Sequence, residues 1–235
     1  MKKQFALNYL MSLVGACLLS VNLSAAAFFE DSFDYTGWNY GSRPMSAVWA
    51  SWQNAPVVER TDKAGYPNRY IKLANGTVSA ALPKTLNSDF ILTVHLLSTA
   101  YGRLHWFGLS NDAGTAGYYV AWDTGLASQF DSQGRVGIGR INISASEPIG
   151  YQKPGPFITE LFIPGHNRSN TQSAAISPPF AILSLKWNAA QQRLALLVNG
   201  AEVSHADNIT LGSLSRIHLS GNSTALFSSV ILKTP

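Results

Sequence analysis

From Phe28 onward, apolar residues recur at every second position in short runs, and no helical period of useful length interrupts them. In Asp89 to Leu97, Phe90, Leu92, Val94 and Leu96 share one face, and Ile91, Thr93 and His95 share the other. Gly117 to Asp123 sets Tyr118, Val120 and Trp122 against Tyr119, Ala121 and Asp123, and Ser215 to Ser220 sets Ile217 and Leu219 against Arg216, His218 and Ser220. A two-residue period is the period of a strand with one face on a core. Gly, Asn, Asp, Pro and Ser separate the runs, as they do in antiparallel sandwiches and barrels. The spacing also predicts strands at Phe28–Phe33, Arg69–Ala74, Thr77–Ala81, Leu104–Ser110, Arg135–Asn142, Phe180–Trp187 and Leu226–Lys233. In LALLVNGAEVSH, Asn199-Gly200 stands between two strand-like runs, and both residues tolerate the positive φ of a two-residue hairpin turn.

The N-terminus sets the compartment. Lys2 and Lys3, an apolar stretch from Phe5 to Val21 and the small residues Ser24 to Ala27 have the layout of a secretory signal, expected over residues 1–27. Asn8, Ser12, Gly15, Ser20 and Asn22 make that stretch a poor bilayer-spanning helix, so no integral membrane span is expected in the mature chain. A minor alternative is lipid attachment at Cys17, which follows Val14-Gly15-Ala16. Residues 28–235 then suffice for one well-buried domain. Cys17 is the only cysteine, so a chain cut after Ala27 has no disulfide, zinc-thiolate or cysteine nucleophile. The 17 basic and 13 acidic residues are spread without a Lys/Arg cluster. Nucleic acid is therefore not an expected partner, since tight binding needs a basic stripe that displaces counterions.

One region breaks the pattern. Residues 147–179 hold Pro148, Pro154, Pro156, Pro164, Pro178 and Pro179, six of the 11 prolines, and only Phe157 to Ile163 could form a strand there. A long proline-stiffened excursion is a functional or a disordered loop. Tyr151, Phe157, Leu161 and Phe162 favour the ordered alternative, because they give it something to pack.

Four stretches carry a resemblance: FFEDSFDYTG at the start, GRLHWFGLSNDAGTAGYYVAWDT in the middle, and RLALLVNGAEV and LFSSVILK near the end. Together they resemble the concanavalin A-like lectin/glucanase superfamily, including the laminin-G-like domains of secreted bacterial proteins. The resemblance implies an all-β, two-sheet antiparallel jelly-roll sandwich, a scaffold that hosts binders and enzymes alike. It also raises a structural calcium at the opening acids Glu30, Asp31 and Asp34. Ser228 and Ser229, however, stand where many relatives place acidic residues, and calcium wants six to eight oxygens with several carboxylates among them. No other metal or cofactor is expected.

Glucanases of this superfamily use a Glu-x-Asp-x-Glu strand to set carboxylates on one face. No such spacing occurs here, and the adjacent Glu30 and Asp31 point to opposite faces. Lyases of similar shape use Tyr, His and Arg, for which Arg103, His105, Tyr118 and Tyr119 are the available residue types. No Gly-x-Ser-x-Gly, His-Glu-x-x-His or phosphate-loop pattern occurs, and GRVGIGR reads as a strand with close backbone packing. No catalytic residue is therefore assigned. Sugar binding needs aromatic faces and fixed polar groups, and Trp38, Trp49, Trp52, Trp106, Trp122 and Trp187 are the largest rings on offer. His95 lies on the polar face of its run, and by adjacency His105, Tyr119 and Asp123 are expected to join it as donor, stacker and acceptor. The expected function is recognition of an extracellular carbohydrate without catalysis. The alternatives are a polysaccharide hydrolase or lyase, and an adhesion module that binds protein.

Overall fold

A computed structural model of the chain describes residues 27–33, 41–44, 48–51, 57–60, 69–73, 75–98, 104–123, 134–144, 146, 149, 153–163, 180–221 and 225–235. The signal through residue 26 with Cys17, the acid Asp34, the rings Trp38 and Trp52, the candidate Arg103 and most of 147–179 lie outside the described residues.

Regular structure among the described residues is strand throughout. The first eight strands are β1 (Ala27–Asp31), β2 (Gly41–Pro44), β3 (Trp49–Ser51), β4 (Val57–Arg60), β5 (Arg69–Leu73), β6 (Gly76–Leu86), β7 (Phe90–Ser98) and β8 (Leu104–Ser110). The rest are β9 (Ala116–Asp123), β10 (Gly134–Asn142), β11 (Phe157–Ile163), β12 (Phe180–Asn188), β13 (Arg193–Val198), β14 (Ala201–Ala206), β15 (Leu214–Gly221) and β16 (Ala225–Lys233). One sheet, A, runs β14-β13-β12-β7-β16-β5-β4-β2, with β1 also paired to β16, and the other, B, runs β11-β10-β9-β8-β15-β6-β3. Every pairing is antiparallel. Successive strands change sheet at β5 to β6 to β7 and again at β14 to β15 to β16, the weave of a jelly roll.

The alternation read from sequence sets the faces. Leu92, Val94 and Leu96 of β7, Leu183 and Leu185 of β12, and Val230 and Leu232 of β16 point inward from sheet A. They meet Val78, Phe107, Leu109, Val120, Trp122, Ile217 and Leu219 from sheet B in one continuous core. Full burial of an aliphatic or phenyl side chain is worth about 1.5–3 kcal/mol, so this shared layer holds the two sheets together. The hairpin forms as expected, with Asn199 at φ 51 and Gly200 at φ 86. Asn199 ties it to β12, donating its N–H to the Ile182 carbonyl at 2.7 Å and accepting the Ile182 N–H on Oδ1 at 3.1 Å.

Three short strands, β2, β3 and β4, add to those expected from the spacing. Each has three or four residues, too few to show a period. Elsewhere the expected strands differ from the observed ones by a residue or two at the ends, except that β6 continues to Leu86.

The described part of the proline-rich excursion packs on the outer face of sheet B. Pro154 to Pro156 runs beside β10, with the Arg140 and Asn142 N–H groups donating to the carbonyls of Pro156 and Pro154 at 3.2 and 3.3 Å. Ile149 closes a second cluster with Trp106, Tyr119, Ala121 and Ile141. The glycines of GRVGIGR make room for this layer. A Cβ on Gly139 would overlap the Tyr119 ring, and one on Gly137 would come within 2.9 Å of the Phe157 ring. That is the close backbone packing expected of this run.

Candidate functional site

An open cleft of about 530 Å³ lies where the β8–β9 turn, the end of β10 and the loop from Asp207 to Ser213 come together. The turn forms because Asn111 serves as a cap. Its Oδ1 accepts the N–H groups of Thr115 and Ala116 at 2.9 and 3.2 Å, and its Nδ2 donates to Thr115 Oγ1 at 3.1 Å. Such local side-chain bonds hold a turn with few residues. Arg216 on β15 fastens the turn from outside, its Nε donating to the Asp112 carbonyl at 2.8 Å and to Asp112 Oδ1 at 3.1 Å.

The opposite wall is the loop after β14. Asn208 takes φ 57, Ile209 plugs the core, and the Ile209 N–H donates to the Gln192 carbonyl at 2.9 Å. Tyr118 bridges the two walls, since its hydroxyl donates to the Thr210 carbonyl at 2.6 Å. The Arg140 guanidinium sits 5.8 Å from the Tyr118 ring centroid, a cation–π arrangement that orients its donors. The lining thus offers a fixed cation at Arg140, an amide at Asn208, hydroxyls at Thr210 and Ser213, and bare backbone at Gly117. A Cβ on Gly117 would overlap the Leu109 carbonyl and meet Ser110 Cα at 2.6 Å, so glycine here lets β9 lie close against the backbone of β8. No carboxylate or imidazole lines the cleft among the described residues.

The four residues expected to share a surface do not share one. His95 lies on the outer face of sheet A, between Ile182 and Ser229, where partial burial lowers its pKa. His105 lies on sheet B and points into the core, edge-on to Trp122 at 6.3 Å between ring centroids. Tyr119 points the other way, to the outer face of sheet B, but is fully buried. Its hydroxyl donates to the Gly155 carbonyl at 2.6 Å, and burial pushes the phenol pKa well up. Asp123 ends β9 on the same outer face as Tyr119, half-buried and paired in register with Leu104 and Arg135. Placing His105 beside His95 and Tyr119 is thus corrected. Strands β8 and β9 are buried on both faces, so polarity could not say which way each residue points. The residues lining the cleft, apart from Tyr118, were not singled out. The visible signal was the polar pair of loops NDAGT and DNITLGS, one on each side of it.

The outer face of sheet B also carries a buried polar grid. Thr77 and Ser220 hydroxyls lie 2.7 Å apart, and Ser110 Oγ lies 2.6 Å from His218 Nε2. This last pair has the spacing of a nucleophile and its base. Its proton is placed otherwise, because Ser110 Oγ donates to the Asn111 carbonyl at 2.8 Å and so accepts from an Nε2–H of His218. Burial, with a smaller effect from the Arg216 charge, pulls the His218 pKa down to about 3 and keeps the ring neutral. The pair therefore acts as a structural hydrogen bond in this state.

At the chain opening, both Asp31 oxygens are engaged. Oδ1 accepts the Phe33 N–H at 2.6 Å and Oδ2 accepts the Trp49 Nε1–H at 2.7 Å. Among the described residues no group of three or more His, Cys, Asp and Glu could hold a metal ion.

No protein-family model matches the chain, and no curated protein matches it by sequence. Solved structures similar to it include the carbohydrate-binding module CBM66 from Bacillus subtilis, at 12% identity and TM-score 0.47 over 83% of this chain and 100% of that one. A Bacillus licheniformis β-glucanase matches at 11% identity and TM-score 0.47 over 88% of this chain and 98% of that one. The exoplasmic/lumenal domain of VIP36, solved in a Ca2+/Man3GlcNAc-bound form, matches at 12% identity and TM-score 0.48 over 80% of this chain and 84% of that one.

Proposed function

We propose that this protein is an exported, non-catalytic carbohydrate-binding domain that recognises an extracellular glycan in the cleft beside Tyr118. The observation that carries the reading is the cleft's lining: an oriented guanidinium, an amide and hydroxyls on rigid loops, with an aromatic floor. Sugar hydroxyls need paired donors and acceptors held in fixed positions, and rigid walls reduce the ordering cost of binding. Hydrolysis of a glycoside would ask for two carboxylates facing each other across the bound sugar, and the described lining offers amides and hydroxyls instead. Export rests on the charged, apolar and small-residue sequence of residues 1–27.

A glycan array probed with processed protein, run beside a product assay on neutral and uronate polysaccharides, tests the reading. Binding without product is expected, and Arg140→Ala or Asn208→Ala should weaken it about tenfold, the loss of one good hydrogen bond to a charged or fixed polar group. Release of reducing ends or unsaturated uronates would overturn the non-catalytic part. Glycan binding indifferent to both substitutions would remove the cleft as its seat. Mass spectrometry of the exported chain should find an N-terminus at Phe28.

A further inference from the structure

A second cavity, of about 370 Å³, lies at the far ends of three neighbouring strands of sheet A and shares no residue with the cleft. The pairing register explains its chemistry. Ile91 on β7 stands opposite Lys186 on β12 on one side and opposite Lys233 on β16 on the other. Cross-strand partners project to the same face, so two ammonium groups flank one apolar side chain on strands whose backbones lie about 10 Å apart. Both lysines are exposed, and neither has an ion-pair partner among the described residues. Phe90, Trp187 and Pro235 make the remainder of the lining largely apolar.

Two further observations concern the polar groups there. Among the described residues Asp89 is the only acidic side chain of the lining, and its Oδ1 accepts the Ala189 N–H at 2.8 Å. Trp187 is only 5% exposed, and its Nε1–H has no acceptor among the described residues. A buried donor left without an acceptor is destabilising, and a ligand oxygen that reached it would relieve that.

We propose that this cavity is a second binding site, which takes a carboxylate on an apolar body: Lys186 and Lys233 hold the carboxylate beside Ile91 on the outer face, and round the strand ends Phe90 covers the body and the Trp187 indole N–H meets a ligand oxygen. Two sources supply that chemistry, a uronic acid residue of a glycan and a fatty acid. The site stands apart from the cleft, and neither depends on the other.

The test titrates the intact processed protein with glucuronate and octanoate, and with glucose and octanol as their uncharged counterparts. Tryptophan fluorescence and calorimetry provide the readouts. At least one carboxylate should bind about tenfold or more tightly than its neutral counterpart, and added salt should weaken it, as for any partly exposed ion pair. Whether glucuronate or octanoate binds identifies the source. Lys186→Met with Lys233→Met, both at exposed positions, should weaken the carboxylate about tenfold with an unchanged circular dichroism spectrum. Trp187→Phe, which keeps a ring and removes the donor, should weaken it less. A glycan bound in the cleft should not compete. Equal binding of charged and neutral ligands, unaltered binding by the double lysine variant, or no binding of either carboxylate overturns the proposal. Loss of cleft binding with carboxylate binding intact would sink only the glycan-cleft reading.

Discussion

Replacing Gly139 with alanine tests whether the layer over sheet B is held by tight packing or merely rests there. Gly139 lies on β10 directly opposite Tyr119 on β9, and its missing side chain is where the Tyr119 ring sits. An added Cβ would overlap Cζ, Cε1 and the hydroxyl of that ring. The ring has little room to yield. Trp106 lies 6.0 Å away on one side and Phe157 6.0 Å on the other, and the hydroxyl is fixed to Gly155. Overpacking a well-packed site costs about 1–3 kcal/mol. Losing the Tyr119 hydrogen bond adds about 1 kcal/mol. Against this, alanine in an extended strand is favoured over glycine by about 0.5–1 kcal/mol. The net is a destabilisation of about 2 kcal/mol, read as a lower urea midpoint with an unchanged slope. Backbone amides of Arg140 and Asn142, which donate to the segment from Pro154 to Pro156, should lose hydrogen-exchange protection as the ring is displaced. Tyr119→Leu in the Gly139→Ala background should recover part of the loss, because the shorter side chain vacates the overlap. Gly212→Ala, where a Cβ would meet nothing within 4 Å, should be neutral. A Gly139→Ala protein as stable as the parent, or one that Tyr119→Leu makes worse, would refute the packing argument.

Two further outcomes follow from buried polar groups. The folded-state pKa of His218 lies near 3, below its unfolded value, so the unfolded chain binds the extra proton first as pH falls. Stability should therefore decline as pH drops from about 6.5 toward 3. Urea unfolding across that window should show a shallower decline in His218→Gln, which retains a donor for Ser110. Trp49→Phe removes the N–H that Asp31 Oδ2 accepts while keeping an aromatic ring, and should cost about 1 kcal/mol in chemical unfolding.

Fold class was legible because most strands keep one face wet or change composition sharply between faces, as β7 does with Leu92, Val94 and Leu96 against Thr93 and His95. Position-level reading failed where that contrast vanishes. On β8 every residue from His105 to Ser110 is buried, so the alternation of His105 inward and Trp106 outward leaves no mark in polarity. Close backbone packing of the glycine-rich β10 follows from its sequence, yet which ring fills the space does not. Tyr119 comes from β9 and Phe157 from the start of β11, and only the register brings them over Gly139 and Gly137. The cleft escaped notice because its walls come from loops about 90 residues apart, joined by the bond from Tyr118 to Thr210.

Strand β16 occupies the middle of sheet A, with β7 along one side and β5 and β1 sharing the other. The two halves of that sheet have no common neighbour until residues 225–233 have been synthesised. Folding must then be a late, collective event rather than a stepwise one along the emerging polypeptide. Truncation before Ala225 should therefore yield an aggregating product instead of a smaller domain.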